Sequence, residues 1–175
     1  MKNLFLIIFM LFAFSVIAEG QKLKSSYDKF KDVTDVTVSN MTVKAVNNTG
    51  GRSTPMVWFT VRVLYQGTSI QKDADAFQFW FYSSSPSWVF LQYNSLVILA
   101  DGERISLGKA RHTGDVSAGS RNVGVRETLG YAVKRSDMEK IAKALKVELQ
   151  LGSFEGVLGK DQLVAINTIF QAGTK

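Results

Sequence analysis

Three features of this 175-residue chain predict a mainly β protein of one domain. The expected form is an antiparallel β-sandwich or strongly bent sheet, with two short helices near the C-terminus. Period-two alternation dominates from Val33 to Val133, as expected of strands with two unlike faces. Asp101-Gly102 and Gly152-Ser153 stand between alternating segments, where hairpin turns belong. Helical spacing shows only after Ser136, so the strand–helix–strand alternation of a parallel sheet is missing.

Residues 21–32 are polar and charge-mixed, a mobile or loosely docked lead-in to a single β-rich domain over 33–175. Val36 and Val38 share one parity, whereas Met41, Val43 and Ala45 share the other, which predicts a bulge at Ser39-Asn40. A turn over 47–55 follows. Val57, Phe59, Val61, Val63 and Tyr65 alternate with Trp58, Thr60, Arg62 and Leu64; Phe77, Phe79 and Phe81 alternate with Gln78, Trp80 and Tyr82. Bulk on both sides predicts two central strands covered on both faces.

Residues 88–91 and 96–100 continue the strand pattern, Asp101-Gly102 turns it, and Ile105 and Leu107 return it. Residues 108–122 read as a long connection rich in Gly, Ser and Arg, before another strand over 123–133. Ser136 and Glu139 have the spacing of a capping box for a helix over about 137–146. Its apolar stripe is Met138, Ile141, Ala142 and Leu145, with Glu139 and Lys143 paired on the wet side. Val147, Leu149 and Leu151 pass through a II′ turn to Phe154 and Leu158, and a last helix covers about 161–171.

Residues 1–20 have the form of a secretory signal peptide. Lys2 precedes an apolar run from Leu4 to Ile17, and Val16-Ile17-Ala18 places cleavage after Ala18 or Gly20. The run is shorter than the roughly 20 residues of a spanning helix, and no later stretch reaches that length. The expectation is an exported protein, periplasmic or secreted and bacterial in style, with no transmembrane segment after cleavage. Absence of cysteine excludes disulfide scaffolds, thiol nucleophiles and Cys-based zinc sites, and the single histidine excludes multi-histidine metal centres. No cofactor and no metal are expected.

Signatures of the common catalytic folds are missing. No Gly-x-Ser-x-Gly elbow, phosphate-cradling loop or dinucleotide-binding glycine motif occurs, so the sequence predicts no enzyme. Ser26/Lys29 and Ser69/Lys72 match a Ser-x-x-Lys spacing at chance frequency. His112 reads as a solvated loop histidine, with an acid–base pair to Asp115 as the alternative. Asp28, Asp32 and Asp35, or Asp73 and Asp75, are spaced carboxylates that lack the order of a calcium loop.

Glu127 falls on the inward parity of its strand, where an unpaired charge would be costly. A bulge, or a salt bridge to Arg104 or Arg62, is the expected remedy; a carboxylic acid poised in a pocket, as in a hydrolase, is the alternative. Trp58, Trp80 and Tyr82 share a parity with Arg62. Their expected place is a core face beneath the terminal helices, and an open platform for sugar rings or cations is the alternative.

Charge is concentrated. The formal net charge is +6, and residues 104–135 carry seven basic residues against Asp115 and Glu127. Those are Arg104, Lys109, Arg111, Arg121, Arg126, Lys134 and Arg135; the rest of the chain from Glu19 onward is balanced. The leading functional expectation is a non-enzymatic binding or envelope-associated protein that meets anionic partners through this basic loop region. Partners of that kind are an anionic envelope glycan, a lipid headgroup or an acidic protein; no nucleic acid is expected. The ligand-binding candidates are Lys109, Arg111, Arg121, Arg126 and Glu127, and, for a carbohydrate or other small ligand, Trp58, Trp80 and Tyr82.

Overall fold

The structure, a computed structural model, describes residues 23–46, 55–68, 74, 76–118 and 123–173. The signal segment over 1–20, the turn over 47–54, Arg121, and the Ser69/Lys72 and Asp73/Asp75 pairs lie outside these residues. The described residues form two antiparallel sheets and two helices. The six-stranded sheet runs in the order β1 (Lys24–Asp28), β2 (Val33–Thr42), β4 (Met56–Gln66), β5 (Ala76–Ser85), β9 (Val123–Lys134) and β8 (Arg111–Ala118). The five-stranded sheet runs in the order β3 (Lys44–Ala45), β11 (Phe154–Val157), β10 (Val147–Leu151), β6 (Ser95–Ala100) and β7 (Glu103–Lys109). Helices α1 (Arg135–Lys143) and α2 (Lys160–Ala172) complete the fold.

One hydrophobic core joins these parts. Val57, Phe59, Val61 and Val63 of β4 and Phe77, Phe79 and Phe81 of β5 point inward beside Leu96 and Ile98 of β6 and Leu149 and Leu151 of β10. Met138 and Ile141 of α1 and Ile166, Ile169 and Phe170 of α2 belong to the same cluster. Each such side chain, fully buried, contributes about 1.5–3 kcal/mol. Ring geometry adds direction: Phe59 stacks on Phe81 at 5.4 Å between centroids, and Phe81 meets Tyr131 edge to face at 5.9 Å. The Tyr65 hydroxyl donates to the Ala172 carbonyl at 3.0 Å, tying the end of α2 to the sheet.

Turn chemistry follows the sequence closely. Asp101 and Gly102 both have positive φ (49° and 88°), the type I′ geometry that matches strand twist between β6 and β7. Gly152 takes φ 57° at the tip of the β10–β11 hairpin. The expected bulge lies between Val38 and Met41, with Asn40 at φ 62°.

Five expectations over local structure are corrected. Residues 108–122 are not a long connection, because Arg111–Ala118 is the edge strand β8, paired throughout with β9. Its alternation is invisible as hydrophobicity because the positions on the side of His112 are Gly114 and Val116, and Val116 is itself half exposed. Residues 88–91 are loop instead of strand, although Phe90 is fully buried. Part of the polar lead-in forms β1 on the edge of the large sheet, in register with β2 from Lys24 opposite Thr37 to Asp28 opposite Val33.

The capping box does not form: β9 runs straight into α1, Lys134 is the N-cap, and Ser136 already lies inside the helix. Helix α1 also stops at Lys143, which leaves Leu145 90% exposed instead of on the stripe. Asp101 is the reason. Its carboxylate accepts from Leu145 N (3.0 Å) and Lys146 N (2.8 Å), while its own N–H donates to the Lys146 carbonyl at 2.9 Å. Replacing Asp101 with Ala removes these acceptors and strains the left-handed turn; the expected loss, read by urea unfolding, is about 1–2 kcal/mol.

Candidate functional site

Strand β9 places two different chemistries on its two faces. Odd-numbered residues Val125, Glu127, Leu129, Tyr131 and Val133 are buried, and even-numbered residues point outward. The inward and outward constellations share strands β5, β9 and β8, and the outward one extends onto β4 and β2.

On the inner side Glu127 is 1% exposed and has three donors. Its carboxylate accepts from Val89 N at 2.8 Å, Phe90 N at 2.9 Å and His112 Nε2 at 3.1 Å. These bonds remove the penalty of burying a carboxylate, and they fasten the loop over 86–94 across the end of the sandwich. The partner is thus neither Arg104 nor Arg62, and no bulge is involved. An arginine is unnecessary because the loop backbone brings two N–H groups to the carboxylate.

His112 is correspondingly not a solvated loop residue: its side chain is 12% exposed and lies edge-on to Trp88 at 6.1 Å. It does not pair with Asp115, which has the opposite parity on β8 and faces the other side of the sheet. Other contacts hold the same loop. The Tyr131 hydroxyl donates to the Asn94 carbonyl at 2.6 Å, and Ser85 Oγ donates to the Ser87 carbonyl at 2.6 Å. Burial pushes the Tyr131 phenol far above the ordinary tyrosine range. Trp88 lies so close over Gly114 that a Cβ there would come within 2.5 Å of the indole and 2.8 Å of the Arg126 carbonyl.

On the outer side the register lines up the even positions. Thr60, Trp80, Gly130 and Arg111 form one row across β4, β5, β9 and β8. Trp58, Tyr82, Thr128 and Thr113 form the next, followed by Met56, Ser84, Arg126 and Asp115. Trp58, Trp80 and Tyr82 are half-buried, and no described element packs over them. The expected core placement of these three is therefore wrong. Both terminal helices pack on the phenylalanine side of the sheet, where α2 meets β2 and β4 and α1 meets β9 and β5.

Trp80 lies against β9: a Cβ on Gly130 would come within 2.9 to 3.1 Å of three atoms of its six-membered ring, so the indole occupies the space that a side chain there would need. The indole N–H donates to Gln78 Oε1 at 3.0 Å, which fixes the ring's rotation. Trp58 and Tyr82 stack nearly parallel, 16° apart with centroids at 6.2 Å. These rings and Thr60 border an open concavity of about 350 Å³, closed on its other side by Asp35, Thr37 and Arg62. Arg62 Nη2 pairs with Asp35 Oδ2 at 2.8 Å.

Candidates from the basic window are divided by the fold. Arg111 and Arg126 reach the aromatic face; Lys109 ends β7 in the other sheet, opposite Ser95. Asp28 is used within the β1–β2 turn and Asp35 by Arg62, and among the described residues no group of three or more His, Asp or Glu could hold a metal. Sequence reasoning missed Gly130, although a glycine within an alternating strand signals a close approach. It also missed the loop N–H groups on Glu127, for which no sequence signal exists.

Glu127→Gln turns one acceptor into a donor against the loop N–H groups; the expected result is a loss of about 2–3 kcal/mol in unfolding free energy, with faster amide exchange at Val89 and Phe90. Raised in the fold, the Tyr131 pKa contributes stability fully present below the ordinary tyrosine value near pH ~10 and lost as pH climbs through the folded value. Spectrophotometric titration of tyrosinate is expected to leave one phenol un-ionised until the protein unfolds in alkali. Compared with protein-family models, curated proteins and solved structures, the chain has no match.

Proposed function

We propose that this is an exported, non-enzymatic binding protein that takes a saccharide on the outer face of its six-stranded sheet. The observation that carries this is the concavity bordered by Trp58, Trp80 and Tyr82 and by the Arg62–Asp35 pair. Sugar rings present apolar C–H faces and polar hydroxyl edges. A flat indole suits the first, and charged or hydroxyl side chains around it suit the second. Trp80 loses less freedom on binding than an unrestrained side chain, because its indole N–H is already held by Gln78 and its ring already lies against Gly130.

The hydrolase alternative loses support from the same geometry. Both oxygens of Glu127 and the His112 Nε2 are engaged in holding the loop over 86–94. That pattern serves architecture, and it faces away from the concavity. The basic-region alternative keeps Arg111 and Arg126, which share the aromatic face, and gives up Lys109.

The test is a fluorescence titration of the purified protein with neutral and acidic oligosaccharides typical of cell envelopes. Saturable tryptophan quenching by at least one is expected, weakened about tenfold by Trp80→Ala, the equivalent of ~1.4 kcal/mol. Gly130→Ala keeps the indole but lifts it from its seat, and weakens binding in the same direction. Quenching that persists unchanged in both variants would remove the aromatic face from this account.

A further inference from the structure

The charge around the platform is not symmetrical, and this narrows the ligand. On the β4 side, the Arg62 guanidinium is already paired with Asp35. On the β8 side, the outward residues of β8 and β9 include Arg111, Arg126 and Lys134 against Asp115 alone. Asp115 sits directly opposite Arg126 in the register, two rows away from Arg111. Arg111 sits opposite Gly130, is exposed, and has no ion-pair partner among the described residues.

Gly130 therefore does two things at once. It gives the Trp80 ring room to lie against β9, and it leaves no side chain between that ring and Arg111. Adjacent strands lie about 4.8 Å apart, so the backbones of residues 80 and 111 are separated by roughly 10 Å. A sugar ring stacked on the indole, with an acidic substituent directed toward β8, spans that gap within the reach of an extended arginine. A guanidinium is suited to such a group because its planar donors match a carboxylate or sulfate in a two-point contact.

We infer that the ligand is an acidic saccharide whose ring stacks on Trp80 and whose carboxylate or sulfate is held by Arg111. The inference rests on the proposed saccharide site and adds its charge class and orientation. A neutral sugar would use the aromatic floor but leave Arg111 idle. An anionic lipid headgroup or acidic peptide would use Arg111 but not the flat indole.

Calorimetric titration of the full protein with a uronic-acid oligosaccharide, and with the same oligosaccharide after reduction of its carboxyls to alcohols, tests this. The expected result is roughly tenfold tighter binding of the acidic form at low salt, a preference that shrinks as salt rises. Arg111→Gln is expected to abolish the preference, and circular dichroism checks that the variant is folded. As this arginine is on the exposed side of an edge strand, a second variant, Arg111→Lys, keeps the charge and should retain part of the preference. Equal affinity for both forms, or a preference untouched by Arg111→Gln, would overturn the acidic assignment while leaving the saccharide site intact. Binding of neither form overturns both. Sedimentation with anionic phospholipid vesicles in the absence of saccharide binding would likewise overturn it and assign the face to lipid.

Discussion

The buried carboxylate of Glu127 is the constraint on which this end of the molecule depends. Left alone on the inner face of β9, it would oppose folding by several kcal/mol. Its three donors come from two places distant in sequence, the loop over 86–94 and His112 on β8. Satisfying one anion therefore fixes the loop, seats Phe90 in the interior, and anchors an edge strand with little apolar surface of its own. Trp88 reinforces that anchor by filling the space where Gly114 has no side chain.

The consequence appears on the opposite face. Side chains alternate along a strand, so a strand held with His112 and Gly114 inward must present Arg111 and Thr113 outward. Register does the rest, because the pairing of β8 with β9 and of β9 with β5 sets Arg111 beside Gly130 and Gly130 beside Trp80. The proposed binding face is thus the outer side of a polar clamp. Its strand placement is set from inside the sandwich, while the Trp80–Gln78 hydrogen bond and the Arg62–Asp35 pair hold its side chains in place.

Much of the fold was legible because period-two patterns and positive-φ turns are local. The phenylalanine rows of β4 and β5, the Asp101-Gly102 and Gly152-Ser153 hairpins and the bulge at Asn40 needed no tertiary information. Strand β8 was illegible because its inward side chains meet a loop and a carboxylate instead of the apolar core. The inward position of Glu127 was legible as a parity violation, yet its partners were not, since backbone N–H groups leave no mark in a sequence. Trp58, Trp80 and Tyr82 were recognised as sharing one face. Which face the helices would cover depended on long-range packing, and the all-phenylalanine side took them. The merging of the aromatic and basic candidates needed strand order, which no residue pattern supplies.

In the proposed complex, ligand meets the outer face of the large sheet while the clamped loop behind it stays unchanged. The chain contains three tryptophans, and they divide cleanly: Trp58 and Trp80 on the outer face, Trp88 in the loop against His112. The most direct measurement is therefore the NMR spectrum of the three indole N–H groups during titration with an acidic oligosaccharide. The signals of Trp58 and Trp80 are expected to move with saturation while that of Trp88 stays in place. Movement of Trp88 alone, or of none of the three when calorimetry shows binding, would contradict this placement of the ligand.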